Sequence, residues 1–141
     1  MQPSSEDLWL AEVIDRRGTI GIHRHNTAGY YLRVTIGALE ETAVRQVFTV
    51  AGVGVLRVER RSGPVRWRWT AACRNALRIL NRIEPYVVRK KAQIQVAQEF
   101  YARGICRYRK GGLTAAQQRV RHACYVAMRA LNAKDVSGVS T

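Results

Sequence analysis

At 141 residues the chain has room for one ordinary domain, and 47% hydrophobic residues is a globular composition, which excludes wholesale disorder and low-complexity polymers. Against 10 Asp and Glu stand 24 Lys and Arg, a formal charge of +14, and all but four of those cations are arginine. Self-repulsion of that size calls for an acidic partner, and guanidinium forks suit phosphates and base edges, so nucleic acid is expected ahead of an anionic membrane.

Nowhere does an apolar run approach the roughly 20 residues of a membrane span, and the first seven residues lack a basic stretch followed by an apolar one, so a soluble, intracellular chain without a leader is expected. Cys73, Cys106 and Cys124 are odd in number and lack metal-type spacing. They read as buried thiols in a reducing compartment.

Ser4 or Ser5 caps a first helix, Glu6 and Asp7 complement its positive end, and Leu8, Trp9, Ala11, Val13 and Ile14 supply its apolar positions up to Gly18. Residues 19–25 and 30–36 alternate around the turn Asn26-Thr27-Ala28-Gly29, which describes a hairpin. A second helix opens at Glu40-Glu41-Thr42, carries Val44, Val47, Phe48 and Ala51, and ends at Gly52. Two more strands, 53–61 and 65–70, flank Ser62-Gly63-Pro64; in the latter Val65, Trp67 and Trp69 alternate with Arg66 and Arg68, one face core and the other cationic. A helix over 73–83 aligns Ala76, Leu77, Leu80 and Ile83 and is ended by Pro85. Another covers about 90–102, a basic loop covers 107–112, and a last helix capped by Thr114 runs over 113–131 before a frayed tail.

Two-residue periodicity puts His23, His25, Tyr31, Arg33, Thr35, Arg57, Glu59, Arg61, Arg66 and Arg68 on one sheet surface. A curved antiparallel sheet with arginine at alternate positions can follow a nucleic-acid groove. His23, His25 and His122 lack the further ligands a metal would need, and the tryptophans belong more naturally to the core than to base stacking.

The segment Leu10-Ala11-Glu12-Val13-Ile14-Asp15-Arg16-Arg17-Gly18 resembles the motif of the LAGLIDADG homing endonucleases. The hairpin ending at Ile36, Gly52-Val53-Gly54, Trp67-Arg68-Trp69, and Ile83-Glu84-Pro85-Tyr86 followed by Lys90 and Gln93 recur in the family's order, so the likeness covers about residues 6–103. It implies an α+β fold, αββαββα with a four-stranded antiparallel curved sheet and an extra C-terminal helix. Residues 1–105 would form the binding domain, 106–134 the basic loop and last helix packed on it, and 135–141 a tail. One motif copy implies a homodimer seamed by Leu10, Ala11, Glu12, Ile14 and Asp15.

The resemblance also implies metal-dependent phosphodiester cleavage, but the eighth motif position, which supplies the metal-binding acid, is Arg17. Asp15, at the sixth, more often terminates the helix than binds metal. The strand-end polar position is Ile36 and a nearby basic one is Glu40, while Lys90 matches the family's phosphate-side lysine, with Gln93 beyond it. Asp15, Lys90 and Gln93 are therefore the residues a surviving active site would use, with Lys90 also a phosphate ligand. The third position, normally small, is Glu12, which either pairs across the axis with Arg16 or Arg17 or opens the seam and leaves a monomer.

The leading expectation is a nucleic-acid-binding protein that has lost cleavage and needs no cofactor. One alternative is an active homodimeric endonuclease using Mg²⁺ held by Asp15 or Glu12; another is an RNA-binding, maturase-like component of a ribonucleoprotein. The partner is double-stranded DNA or structured RNA, with no membrane.

Overall fold

The computed structural model describes residues 4–25, 29–60, 63–104 and 112–139, with the side chains of His25 and residues 135–139 outside that description. The turn at 26–28, Arg61 at the end of the third expected strand, Ser62 of the turn after it, Cys106, and all of the basic loop but Gly112 also lie outside it.

Chain order runs α1 (Ser5–Arg17), β1 (Thr19–His25), β2 (Gly29–Ala38), α2 (Glu41–Ala51), β3 (Val55–Glu59), β4 (Arg66–Ala72), α3 (Cys73–Ile83), a 3-10 turn (Glu84–Tyr86), α4 (Lys91–Glu99), a π-helical turn (Phe100–Gly104) and α5 (Ala115–Val139). The four strands make one curved antiparallel sheet in the order β1-β2-β4-β3. Alternation explains which face is covered. Ile20 and Ile22 of β1, Leu32, Val34 and Ile36 of β2, and Trp69 and Ala71 of β4 join one core with Leu10, Ala11 and Ile14 of α1, Val44 and Val47 of α2, Leu80 and Ile83 of α3, and Ile94 of α4. The helices thus cover one side and leave the other to solvent.

Helix ends follow the sequence closely. Ser4 Oγ accepts from Asp7 N at 3.1 Å, and Asp7 in turn pairs with Arg82 of α3, whose guanidinium holds the carboxyl below the usual carboxylate range. Gly52 ends α2 in the left-handed conformation. Thr114 Oγ1 accepts from Gln117 N while Gln117 Oε1 accepts from Thr114 N, a reciprocal capping box at the start of α5.

Three expectations are corrected. Helix α5 does not stop at 131 but continues to Val139, because Asn132 spends its amide on Ile20 O of β1 at 2.9 Å and no glycine or proline intervenes before Gly138. The helix expected over 90–102 is α for Lys91–Glu99 only and closes in the π-helical turn. Cys124 is buried, and burial pushes its thiol pKa up, but Cys73 is exposed. Cys73 is the first residue of α3, directly after β4 without a loop, and takes a left-handed φ of 57° there, ahead of the buried stripe that begins at Ala76.

Candidate nucleic-acid interface

Strand register builds the uncovered face. Thr19 pairs with Thr35 and Thr35 with Thr70; His23 pairs with Tyr31; Arg33 pairs with Gly21 and Ala72; Arg57 pairs with Arg68 and Glu59 with Arg66. His23, Tyr31, Arg33, Thr35, Arg57, Glu59, Arg66 and Arg68 therefore share one surface, as period-2 geometry requires. His25 pairs with Gly29 at the hairpin end. Among the described residues four arginines face one glutamate there, and Glu59 is committed to Arg68 at 3.1 Å, which leaves Arg33, Arg57 and Arg66 without a described ion-pair partner. Arg33 adds a second signal: its Nε is buried with no hydrogen-bond partner. Trp69 is fully buried and Trp67 half-buried on the opposite, core-facing side.

His23 lies over Gly21, where an added Cβ would come within 2.8 Å of Nε2, and its ring centroid is 5.7 Å from that of Tyr31. Partial burial, and then the Arg33 charge, push its pKa below the ordinary imidazole value. The folded state therefore disfavours the proton that the unfolded chain accepts below about pH 6.5, so His23 costs stability as pH falls through that value. A phosphate placed beside it reverses the preference. Duplex affinity is expected to rise on acidification from pH 7.5 to 5.5, with proton uptake on binding, and His23→Gln is expected to flatten that dependence; fluorescence anisotropy at matched ionic strength measures it.

The far end of this face runs into the C-terminal turn of α1. Asp15, only 8% exposed, accepts three backbone N–H groups: Val88 and Arg89 onto Oδ2 at 3.1 Å each, with Arg89 and Lys90 onto Oδ1 at 2.9 Å each. This clamps the approach to α4. Lys90 is 5% exposed and its Nζ donates to Asp15 O at 2.6 Å, so the ammonium sits on the negative end of α1. Gln93, 3% exposed, is buried beyond it. Ile36 points into the core, and Glu40 is exposed at the start of α2 without a capping bond. Arg17 is exposed and borders a cleft of 340 Å³ between α1, the end of β2 and α2.

These donors do not fit a divalent ion. Both Asp15 oxygens are taken by backbone N–H groups, Glu12 pairs with Arg16 at 3.5 Å, and a guanidinium has no lone pair to offer. Among the described residues no group of three His, Cys, Asp or Glu is arranged to hold a metal.

The five residues of the expected seam differ in exposure within the single chain. Leu10 and Ile14 are fully buried within the chain's own core, Ala11 is 1% exposed and Asp15 is engaged as above, so of the five residues only Glu12 faces outward. Helical periodicity leaves Leu8, Glu12 and Arg16 as the exposed stripe of α1.

One cluster has no counterpart in the sequence reading. Tyr30 of β2 stacks at 5.0 Å on Tyr125 of α5 and its OH meets His122 Nδ1 at 2.6 Å, while Arg24 and Arg129 lie over the two tyrosine rings. Arg121, buried, bonds Tyr30 O and covers Phe100. Its members lie about ninety residues apart along the chain, so no local spacing could have announced it.

No family model matches the chain, and no curated protein matches it. Solved structures do. The fold is similar to an archaeal intron-encoded homing endonuclease, I-Vdi141I, complexed with DNA: TM-score 0.70, 12% identity, 89% of this chain and 83% of that one. It is similar to I-SmaMI bound to an uncleaved DNA target with calcium ions: TM-score 0.62, 16% identity, 92% of this chain and 46% of that one. It is also similar to the homing endonuclease I-CvuI with the I-CreI target uncleaved in the presence of Mg: TM-score 0.54, 18% identity, 87% and 94%. No helix among the described residues is long and apolar enough to cross a membrane. With the element order, the sheet order and these likenesses in agreement, the chain has the LAGLIDADG homing-endonuclease fold.

Proposed function

We propose that this protein binds duplex DNA through the uncovered sheet face and does not cleave it. The observation that carries the reading is a contrast: along the strands, arginines with no ion-pair partner among the described residues, and at the end of α1 a carboxylate already saturated by backbone donors two residues before an exposed guanidinium. Arginine on a sheet grips phosphates by counterion release, which needs no metal. In-line hydrolysis at neutral pH needs a cation held by free carboxylate oxygens, and the one carboxylate lining the cleft among the described residues is Glu12, which faces Arg16 at 3.5 Å. Asp15 and Lys90 serve here as positioning residues that lock the entry to α4 against the end of α1. The DNA-bound solved structures of the same fold support duplex DNA as the partner.

I-SmaMI, of which this chain spans 46%, is about two such units long, which supports a second copy as the other half of the DNA saddle. The copy would seat on Leu8, Glu12 and Arg16, with the Glu12–Arg16 pair re-formed across the axis.

The test is the full chain incubated with a randomised plasmid library in Mg²⁺ or Mn²⁺. Supercoiled plasmid is expected to survive while its mobility shifts in a salt-sensitive way. Efficient double-strand breaks overturn the non-cleaving half of the reading, and displacement of the plasmid by structured RNA in preference to duplex overturns the partner.

A further inference from the structure

We propose that Arg17 stands in for a divalent cation, its guanidinium holding a DNA phosphate at the cleft floor so that the protein grips duplex without metal. The inference rests on the DNA-binding reading above and goes beyond it by giving the substituted residue a task of its own. Three observations carry it.

First, the cleft meets the basic face at one residue, Gly37, beside apolar lining from Trp9, Val13 and Val47. Gly37, which pairs with Arg68 on the uncovered side of the sheet, also lines the cleft, together with Arg16, Arg17 and Gln46.

Second, Arg17 is the uncommitted charge at that place. Glu12 is occupied by Arg16, and Arg17 makes no ion pair with a described residue. Nor is it needed to cap α1. Gly18 N–H already donates to Ile14 O at 2.9 Å, and Lys90 Nζ covers Asp15 O. Two of the end carbonyls, those of Ile14 and Asp15, are thus met without the Arg17 side chain.

Third, the chemistry matches one half of what a metal does and lacks the other. A guanidinium delivers charge and two parallel N–H donors to the oxygens of a phosphate. It can neither polarise a water to hydroxide nor stabilise a leaving oxygen as a Lewis acid. The contact involves no metal, so it is insensitive to chelators.

The experiment is fluorescence anisotropy of a labelled mixed-sequence duplex with the full chain, titrated with NaCl in EDTA and again with Ca²⁺ at matched ionic strength. Wild-type affinity is expected to be the same with and without the ion. Arg17→Ala is expected to lower the slope of log K against log salt by about 0.9 per chain. Arg17→Lys should keep the slope, and Arg45→Ala, which removes an arginine paired with Glu41 on α2, should leave it unchanged. A wild-type slope in Arg17→Ala, or a wild type that binds only when Ca²⁺ is present, overturns the inference while leaving DNA binding intact. A wild type that fails to bind duplex in any buffer overturns the parent reading instead.

Discussion

Replacing Arg33, Arg57 and Arg66 together with alanine is expected to weaken duplex binding by about a hundredfold or more at moderate salt and to lower the salt slope by about 2.7. The three side chains are chosen because register puts them on the uncovered face and none has a described carboxylate partner. Arg68 is left in place, since its removal would free Glu59 and confuse a lost attraction with a gained repulsion. The effects are not equal. Arg57 on the edge strand β3 and Arg66 at the first residue of β4 are exposed and contribute charge, whereas Arg33 of β2 is half-buried with its Nε shut off from solvent and unpaired. An unmet buried donor costs about 1–3 kcal/mol, a cost relieved when the guanidinium swings onto a phosphate or a guanine edge. Arg33→Ala alone should therefore leave stability unchanged or slightly improved while it discriminates among target sequences. Anisotropy with the triple variant and urea denaturation of the single one measure both. Unchanged affinity in the triple variant would place the DNA elsewhere on the molecule.

The sheet face was readable because the alternation of side chains along a strand is built into the extended backbone: once the four strands were recognised, Tyr31, Arg33, Thr35, Arg66 and Arg68 had to fall together. Helix faces were harder. α1 is apolar on nearly every side, with Leu8, Trp9 and Val13 as well as Leu10, Ala11 and Ile14, so the motif did not reveal which stripe the sheet would cover. The sheet takes Leu10 and Ile14, and the outward stripe is the polar one through Glu12 and Arg16. Asp15 shows a further limit. Its motif position marks it as a helix terminator more often than a metal ligand, but nothing local shows that the backbone donors of 88–90 converge on it from seventy-odd residues away. The left-handed turn at Cys73 left no mark in the sequence at all, since cysteine is not a residue that favours it.

Trp69→Ala is expected to destabilise the protein by about 3–5 kcal/mol, the loss typical of truncating a fully buried aromatic. Trp69 is 0% exposed and sits on β4 between Ile36 of β2 and Leu56 of β3, so its cavity would open across three strands at once. Its indole is also fixed by chemistry as well as volume: Nε1 donates to Val53 O at 2.9 Å, and Gly54, with φ 110°, brings backbone so close that a Cβ there would lie 2.4 Å from Nε1. No side chain could occupy position 54 without displacing the ring. Trp69→Phe separates the two contributions, keeping most of the apolar contact but leaving the Val53 carbonyl unpaired, for an expected loss of about 1–3 kcal/mol. That milder variant also links the core to the interface. β3 is a five-residue edge strand held by β4 alone, and it carries Arg57. A folded Trp69→Phe protein should thus bind duplex more weakly although it keeps every arginine, because the bond that seats the approach to β3 is gone. Urea denaturation of both variants, with anisotropy on Trp69→Phe below its unfolding transition, measures this; full affinity in that variant would mean that β3 is positioned by its ladder to β4 without help from the indole.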